Sequence, residues 1–261
     1  MTKEQILACL PPDHPWASTV EYHEAIDSTN LRAKTLAAAG APQGTVVIAD
    51  GQTAGRGRLG RTFASPAGEG IYLSLILRPQ CPPARLMHLT CATAVAACDG
   101  IWETTGYRPQ IKWINDLVGG NKKLAGILTE LSLDPTGNVA WAVVGIGINC
   151  HQTAFPEELR DTACSLSMVA GQHIDRAKLT AALIQAFHGM DLRDKAAIMD
   201  RYRRDCVTLG KQVLLIRGDQ RREALALSLD DDGALTVRLP DGRTETVSSG
   251  EASVRGLFGY L

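Results

Sequence analysis

The sequence predicts an α+β protein: a mixed, largely antiparallel sheet packed with helices, followed by a small β-barrel. Three observations carry that prediction. Helical and strand-like runs share roughly the first 206 residues. In the middle of the chain, three apolar runs are separated only by VGGNK and DPTGN, which are turn compositions and make an antiparallel meander. After Gly210 the texture changes to short strands (QVLLIRG, REALALSLD, LTVRLP, TETVSS) broken by DDDG and PDG. The change places a boundary near 206–210, giving a catalytic domain over 1–207 and an all-β module over 208–261.

Each element has a local reason. Ser28 precedes the alanine-rich run NLRAKTLAAAG and suits an N-cap, while Gly40, with Pro42 beyond it, suits a C-cap. TVVIAD (45–50) reads as a strand, GQTAGRGRLGR (51–61) as a loop, and IYLSLIL (71–77) as a buried strand. Pro82 and Pro83 open a uniformly apolar helix over about 84–105, a pattern that fits burial against a sheet. IKWIND, KLAGILTELSL and VAWAVVGIGIN form the meander. Helices are expected over 175–189, opened by Asp175, and over 193–206.

Composition narrows the function classes. A chain of 261 residues with 45% hydrophobic residues can bury a sizeable core. Its formal charge of −1 excludes a surface that is basic throughout, so any anion site is local. The seven cysteines contain no C-x-x-C and form an odd set; they read as small buried residues of a reducing compartment. The six histidines show no H-x-x-x-H, which argues against zinc. The opening apolar run is too short for a signal peptide, and no stretch approaches the roughly 20 apolar residues of a membrane span. The expectation is a cytoplasmic protein without a membrane partner.

Three stretches carry candidate chemistry. Gly55, Gly57 and Gly60 spell G-x-G-x-x-G, but no strand immediately precedes the motif and no helix follows, so a dinucleotide fold is set aside. What remains is a glycine-rich loop with Arg56, Arg58 and Arg61. On composition alone it reads equally as a solvated loop or a nonspecific RNA contact. Held between two apolar strands, it also suits a lid that closes over a polyanion. In KWIND, strand alternation puts Lys112, Ile114 and Asp116 on one face, and Trp113 and Asn115 on the other. Lys123 begins the return strand and falls near Lys112 or Asp116. Two lysines beside an Asn and an Asp suit a phosphate with its magnesium, although Lys112 paired with Asp116 at a sheet edge explains the same residues. VVGIGINC supplies glycines where a flat ligand can approach and Asn149 for an adenine edge; a close-packed buried strand explains it equally.

Taken together and in order, DSTN (27–30), GQTAGRGRLGR, IYLSLILRP, KWIND, KLAGIL and GIGIN resemble the biotin protein ligases, or biotin–[acetyl-CoA-carboxylase] ligases. The tail with GEASVR (250–255) resembles that family's SH3-like C-terminal module. The resemblance implies a catalytic domain like that of class II aminoacyl-tRNA synthetases. It also implies two half-reactions: biotin and MgATP give biotinyl-5′-AMP, then a lysine of a biotin carboxyl carrier domain takes the biotin. It assigns Ser28, Thr29, Asn30, Gln52, Gly55, Gly126 and Gly145 to biotin, and Arg56, Gly57 and Arg58 to its carboxylate and then the adenylate phosphate. Lys123 falls beside the reacting oxygens, with Lys112 and Arg58 as further catalytic candidates. Arg61, Lys112, Asn115, Asp116 and Asn149 fall to ATP, and Asp116 to Mg2+. A monomer or weak homodimer is expected.

Two departures bear on these expectations. Ile114 stands where the family usually has proline, and Lys112 is expected to keep its place. About 20 residues precede the catalytic pattern, too few for a helix-turn-helix, so a monofunctional ligase that does not bind operator DNA is expected. The rivals are a lipoate or octanoate ligase or transferase of related fold, and a non-enzymatic polyanion-binding module.

Overall fold

In the computed structural model, which describes residues 1–248, 253–256 and 260, a short helix α1 (Lys3–Ala8) opens the chain. A reciprocal cap between Thr2 and Gln5 closes its start, and Ile6 is fully buried. Strand β1 (Val20–Ile26) leads to α2 (Thr29–Ala38), whose N-cap is Ser28. Ala39 is its C-cap, and Gly40 beyond it takes φ 93°, the left-handed turn expected of a glycine there. Strands β2 (Val46–Gln52) and β3 (Gly70–Leu77) follow, the latter buried at every position.

The apolar run after Pro82 is one turn shorter as α-helix than expected. Pro83–Leu86 form a 3-10 turn, and α3 is Leu89–Thr105. The KWIND segment departs further. It is two strands, β4 (Gln110–Lys112) and β5 (Asp116–Gly119), joined by a turn at 113–115 whose Trp113–Ile114 peptide is cis. Lys112 and Asp116 share a face because they are cross-strand partners, not because one strand alternates through them. The meander continues through β6 (Lys122–Leu133) and β7 (Val139–Asn149). A short helix α4 (Leu166–Ala170) precedes α5 (Arg176–His188) and α6 (Lys195–Asp205). Asp175 and Asp194 cap the last two, accepting from the amides of Lys178 and Ala197.

The seven strands lie in the order β1-β2-β3-β7-β6-β5-β4, with β1 and β2 parallel and every other neighbour antiparallel. Alternation sorts the side chains. Val46, Ile48, Leu73, Leu75, Val144 and Ile146 join the main core with α3 and α5. Val47, Ile76 and Val143 point to the other face and pack on Ala33 and Ala37 of α2. Since α2 is only ten residues long, it covers part of that face. The rest is open to ligand.

The all-β module comprises β8 (Gln212–Arg217), β9 (Gln220–Leu229), β10 (Leu235–Arg238), β11 (Thr244–Val247) and β12 (Ser253–Gly256), in the order β11-β10-β9-β8-β12. Positions 250–252 of the GEASVR stretch lie outside the described residues. The 113–115 turn is held against this module. The Trp113 indole donates to the Gly233 carbonyl at 2.8 Å, and its amide donates to Thr208 Oγ1 at 2.9 Å. Among the described residues, no helix is long and apolar enough to cross a membrane. All seven cysteines are free, five of them buried.

Two buried histidines give the fold a pH dependence. His14 has no partner for Nε2 among the described residues; burial first, then His188, lowers its pKa. His88 is fully buried, bonded through Nε2 to the Leu192 carbonyl at 3.0 Å, and burial lowers its pKa too. The unfolded chain therefore binds more protons than the folded one below about pH 6.5. The stability these rings contribute is present above that pH and is lost as pH falls through it. Thermal melting should drop between pH 7.5 and 5.5, about 2–4 °C for each kcal/mol in a chain of this size. His14→Phe should flatten part of that slope, as scanning calorimetry across the range would show.

Candidate active site

The open part of the α2 face is a cleft of about 340 Å³, closed on one side by the arginine loop. The expected residues reach it from six separate stretches. Ser28, Thr29, Asn30, Gln52, Arg56, Gly57, Arg58, Arg61, Lys112, Asn115, Asp116, Lys123, Gly126 and Gly145 all line it. Gly55 and Asn149 do not.

One end is a tightly bonded polar floor. Gln52 Oε1 accepts from the Thr29 amide at 2.9 Å and from Thr29 Oγ1 at 3.1 Å. Its Nε2 donates to Ser65 Oγ at 2.8 Å, and Ser65 in turn donates to the Phe63 carbonyl. Ser74, fully buried on β3, has Asn30 Oδ1 at 2.6 Å and Thr29 Oγ1 at 2.8 Å. The Asn30 amide lies flat on the β7 backbone: a Cβ at Gly145 would stand 1.9 Å from Asn30 Oδ1, so only glycine admits it. Burial of Ser28, Thr29 and Asn30 thus follows from packing the start of α2 onto the sheet.

The arginine loop folds back on itself. Gln52 pairs with Ser65 and Arg56 with Thr62, and the Gly57 amide donates to the Arg61 carbonyl at 2.7 Å. Gly55 serves this closure, since a Cβ there would sit 2.3 Å from the Phe63 carbonyl oxygen. The backbone turns at Leu59, which has φ 55° and is 69% exposed. Arg58 reaches inward and donates from Nη1 to Asn115 Oδ1 at 3.1 Å. Burial works against its charge and lowers its pKa, with Asp116 opposing the shift. An anion in the cleft would relieve that desolvation.

The third part is a cluster of opposite charges. Lys123 Nζ is 2.7 Å from Asp116 Oδ1. The Lys123 backbone is fixed on both sides, its amide donating to Thr162 and its carbonyl accepting from Cys164. Tyr260 donates its hydroxyl to Asp116, and its carbonyl accepts from Lys112 Nζ, which also lies 3.7 Å from the ring centroid. Burial first, then Asp116, pushes the Tyr260 phenol far above its ordinary range.

Asn149 has a backbone partner outside the residues that line the cleft. Its amide donates to the Cys164 carbonyl at 3.0 Å, where the 162–164 segment closes over the end of β7. Sequence reading missed Ser74, Phe63, Thr162 and Tyr260. No signal in the sequence marks Tyr260, but strand alternation on β3 could have placed Ser74 opposite the glycine face of β7. Among the described residues, no group of three His, Cys, Asp or Glu is placed to hold a metal.

The chain matches the biotin/lipoate A/B protein ligase family over residues 22–149 and the biotin protein ligase C-terminal domain over residues 208–255. The bifunctional ligase/repressor BirA of Bacillus subtilis is 39% identical, over 85% of this chain and 70% of that protein. The biotin--[acetyl-CoA-carboxylase] ligase of Mycobacterium tuberculosis is 33% identical, over 86% of this chain and 84% of its own. Among solved structures, a biotin protein ligase from Aquifex aeolicus in complex with biotin and ATP superposes with a TM-score of 0.77 at 28% identity. That match covers 91% of this chain and 99% of the other.

Proposed function

The chain belongs to the biotin/lipoate A/B protein ligase family, and from that premise we propose that it joins biotin to a protein in two steps. The observation that carries this reading is the cleft itself: three arginines and two lysines share one cavity with a neutral hydrogen-bonding floor formed by Thr29, Asn30 and Gln52. An acid with a long neutral body and a carboxylate tip fits that division.

In the first step a carboxylate oxygen of biotin attacks the α-phosphorus of ATP. The α–β phosphoanhydride bond breaks, and pyrophosphate leaves. Two anions must meet, so fixed cations in a partly desolvated cleft lower the barrier. Arg56 and Arg58 hold the carboxylate and then the phosphate of the new mixed anhydride, and Lys123, anchored through its backbone, faces the phosphoryl oxygens where charge grows. Lys112, held by Tyr260, sits on the nucleotide side with Arg61. In the second step a carrier lysine amine attacks the mixed anhydride carbonyl, the carbonyl–oxygen bond to AMP breaks, and AMP leaves with the closing loop having excluded water meanwhile.

Magnesium enters as part of the nucleotide substrate. The two oxygen-bearing side chains suited to it are already engaged, Asp116 by Lys123 and Asn115 by Arg58. They do not form a resident metal site, and a magnesium ion here relies on the phosphates for its ligands. We assign 1–207 to catalysis and 208–261 to a module that braces the 113–115 turn and carries Tyr260. Seven free thiols support a reducing, cytoplasmic setting.

The test is transfer. Incubated with MgATP and the biotin carboxyl carrier domain of an acetyl-CoA carboxylase, the protein should place biotin on a single lysine, and a carrier with that lysine changed to arginine should stay unlabelled. Transfer of lipoate or octanoate, with none of biotin, would assign the chain to the lipoate branch of its family.

A further inference from the structure

Glu130 lies on β6 behind the polar floor and is absent from the residues that line the cleft. Its carboxylate collects two hydrogen-bond donors and a more distant guanidinium. Lys34 Nζ stands at 2.7 Å, Asn30 Nδ2 at 3.1 Å, and Arg56 Nη2 at 4.0 Å. Lys34 and Asn30 are one helical turn apart on α2, so both reach the same acid. Burial works against the Glu130 charge, but the hydrogen bonds from Lys34 and Asn30 outweigh it and keep the pKa below the ordinary carboxylate value.

A fixed negative charge at this point decides how the Asn30 amide is turned. Its NH2 faces the Glu130 carboxylate and the Leu128 carbonyl, at 3.1 and 3.4 Å. Turned the other way, the amide would set its oxygen against a carboxylate and a carbonyl, with no donor between them. The oxygen is therefore committed to the cleft side, beside Ser74. The neighbouring protons are committed as well. The Thr29 hydroxyl donates to Gln52, and the single Ser74 proton is taken up by Asn30 or Thr29. Apart from the Ser28 hydroxyl, what Thr29, Asn30 and Ser74 offer a ligand is lone pairs.

We propose that Glu130 is a positioning residue that locks the Asn30 amide oxygen toward the cleft, so that the floor accepts hydrogen bonds and selects a ring bearing N–H donors over one without them. This rests on the biotin reading above: biotin's ureido ring has two N–H groups, whereas the dithiolane ring of lipoate has none. A site built to hydrogen-bond a donor rejects the analogue lacking it, because its own acceptors are left unpaired.

The test is equilibrium binding by calorimetry, with the full chain and its Glu130→Gln and Glu130→Asp variants, each checked for folding by thermal melting. The ligands are biotin, desthiobiotin (which keeps both N–H groups), lipoate and MgATP. Loss of one fixed acceptor should weaken biotin and desthiobiotin together by about tenfold in both variants. Lipoate, weak at the outset, and MgATP should change less than twofold. An effect routed through Arg56 would act on the carboxylate that biotin and lipoate share, and would move both. Unchanged biotin affinity in both variants would overturn the proposal, as would equal losses for biotin and lipoate or for biotin and MgATP. If the unmodified chain binds lipoate and not biotin, the substrate reading fails, whatever the variants do.

Discussion

Lys123→Ala slows formation of the adenylate by about 10²- to 10³-fold, the range found for losing one preorganised electrostatic donor. The structure sharpens the reason. Lys123 is fixed by a sheet strand on one side and the 162–164 segment on the other, so its ammonium needs no rearrangement as charge develops on the phosphoryl oxygens. It also neutralises Asp116 at 2.7 Å. Alanine would leave that carboxylate with its bond from the Tyr260 hydroxyl and turn it toward the incoming phosphate as a poorly compensated negative charge. Adding Asp116→Asn to Lys123→Ala should therefore recover part of the lost rate, and biotin affinity should change much less than the rate in either variant. Single-turnover pyrophosphate release measures all of this. Normal adenylation by Lys123→Ala would remove the lysine from the chemistry.

Arg58→Ala acts on retention. Arg58 reaches from the loop to Asn115 at 3.1 Å and so ties the lid to the sheet. Its guanidinium is desolvated and gains most from an anionic ligand. A hydrogen bond to a charged group is worth about 1.5–3 kcal/mol, so release of biotinyl-AMP should quicken by about 10- to 100-fold. Adenylate that escapes would label bystander lysines, which supplies a second readout. A release rate equal to that of the unmodified chain would mean that the loop holds the adenylate without Arg58.

The elements of the fold were legible because their signals are local. Asp175 and Gly40 mark helix ends by capping chemistry, Ser28 takes the N-cap position without a side-chain bond, and the glycine–arginine run between two apolar strands can only be a loop. The break in KWIND was not legible. In Trp113-Ile114-Asn115 only Asn115 is a turn former, and the turn is held from outside, by Thr208, Gly233 and the Tyr202 hydroxyl on the Ile114 carbonyl. Lys112 nonetheless kept its place against Asp116, because hairpin pairing brings together what alternation was expected to bring together. Asn149 lies off the cleft lining for a related reason. Alternation along β7 sets it with Gly145 and Gly147, but the Cys164 carbonyl, fifteen residues away, captures its amide. Tyr260 and Glu130 lie far in sequence from the groups they hold, and only the assembled sheet reveals them.

Both proposed steps require one chain to make a biotin adenylate and keep it. The direct measurement is a single turnover with ATP labelled in its α-phosphate, magnesium and biotin, without any carrier domain. One equivalent of pyrophosphate per chain should appear in a burst that requires biotin, with the label held on the protein as biotinyl-AMP until a carrier is added. Pyrophosphate released at the same rate without biotin, or a burst supported by lipoate and not by biotin, would contradict that requirement.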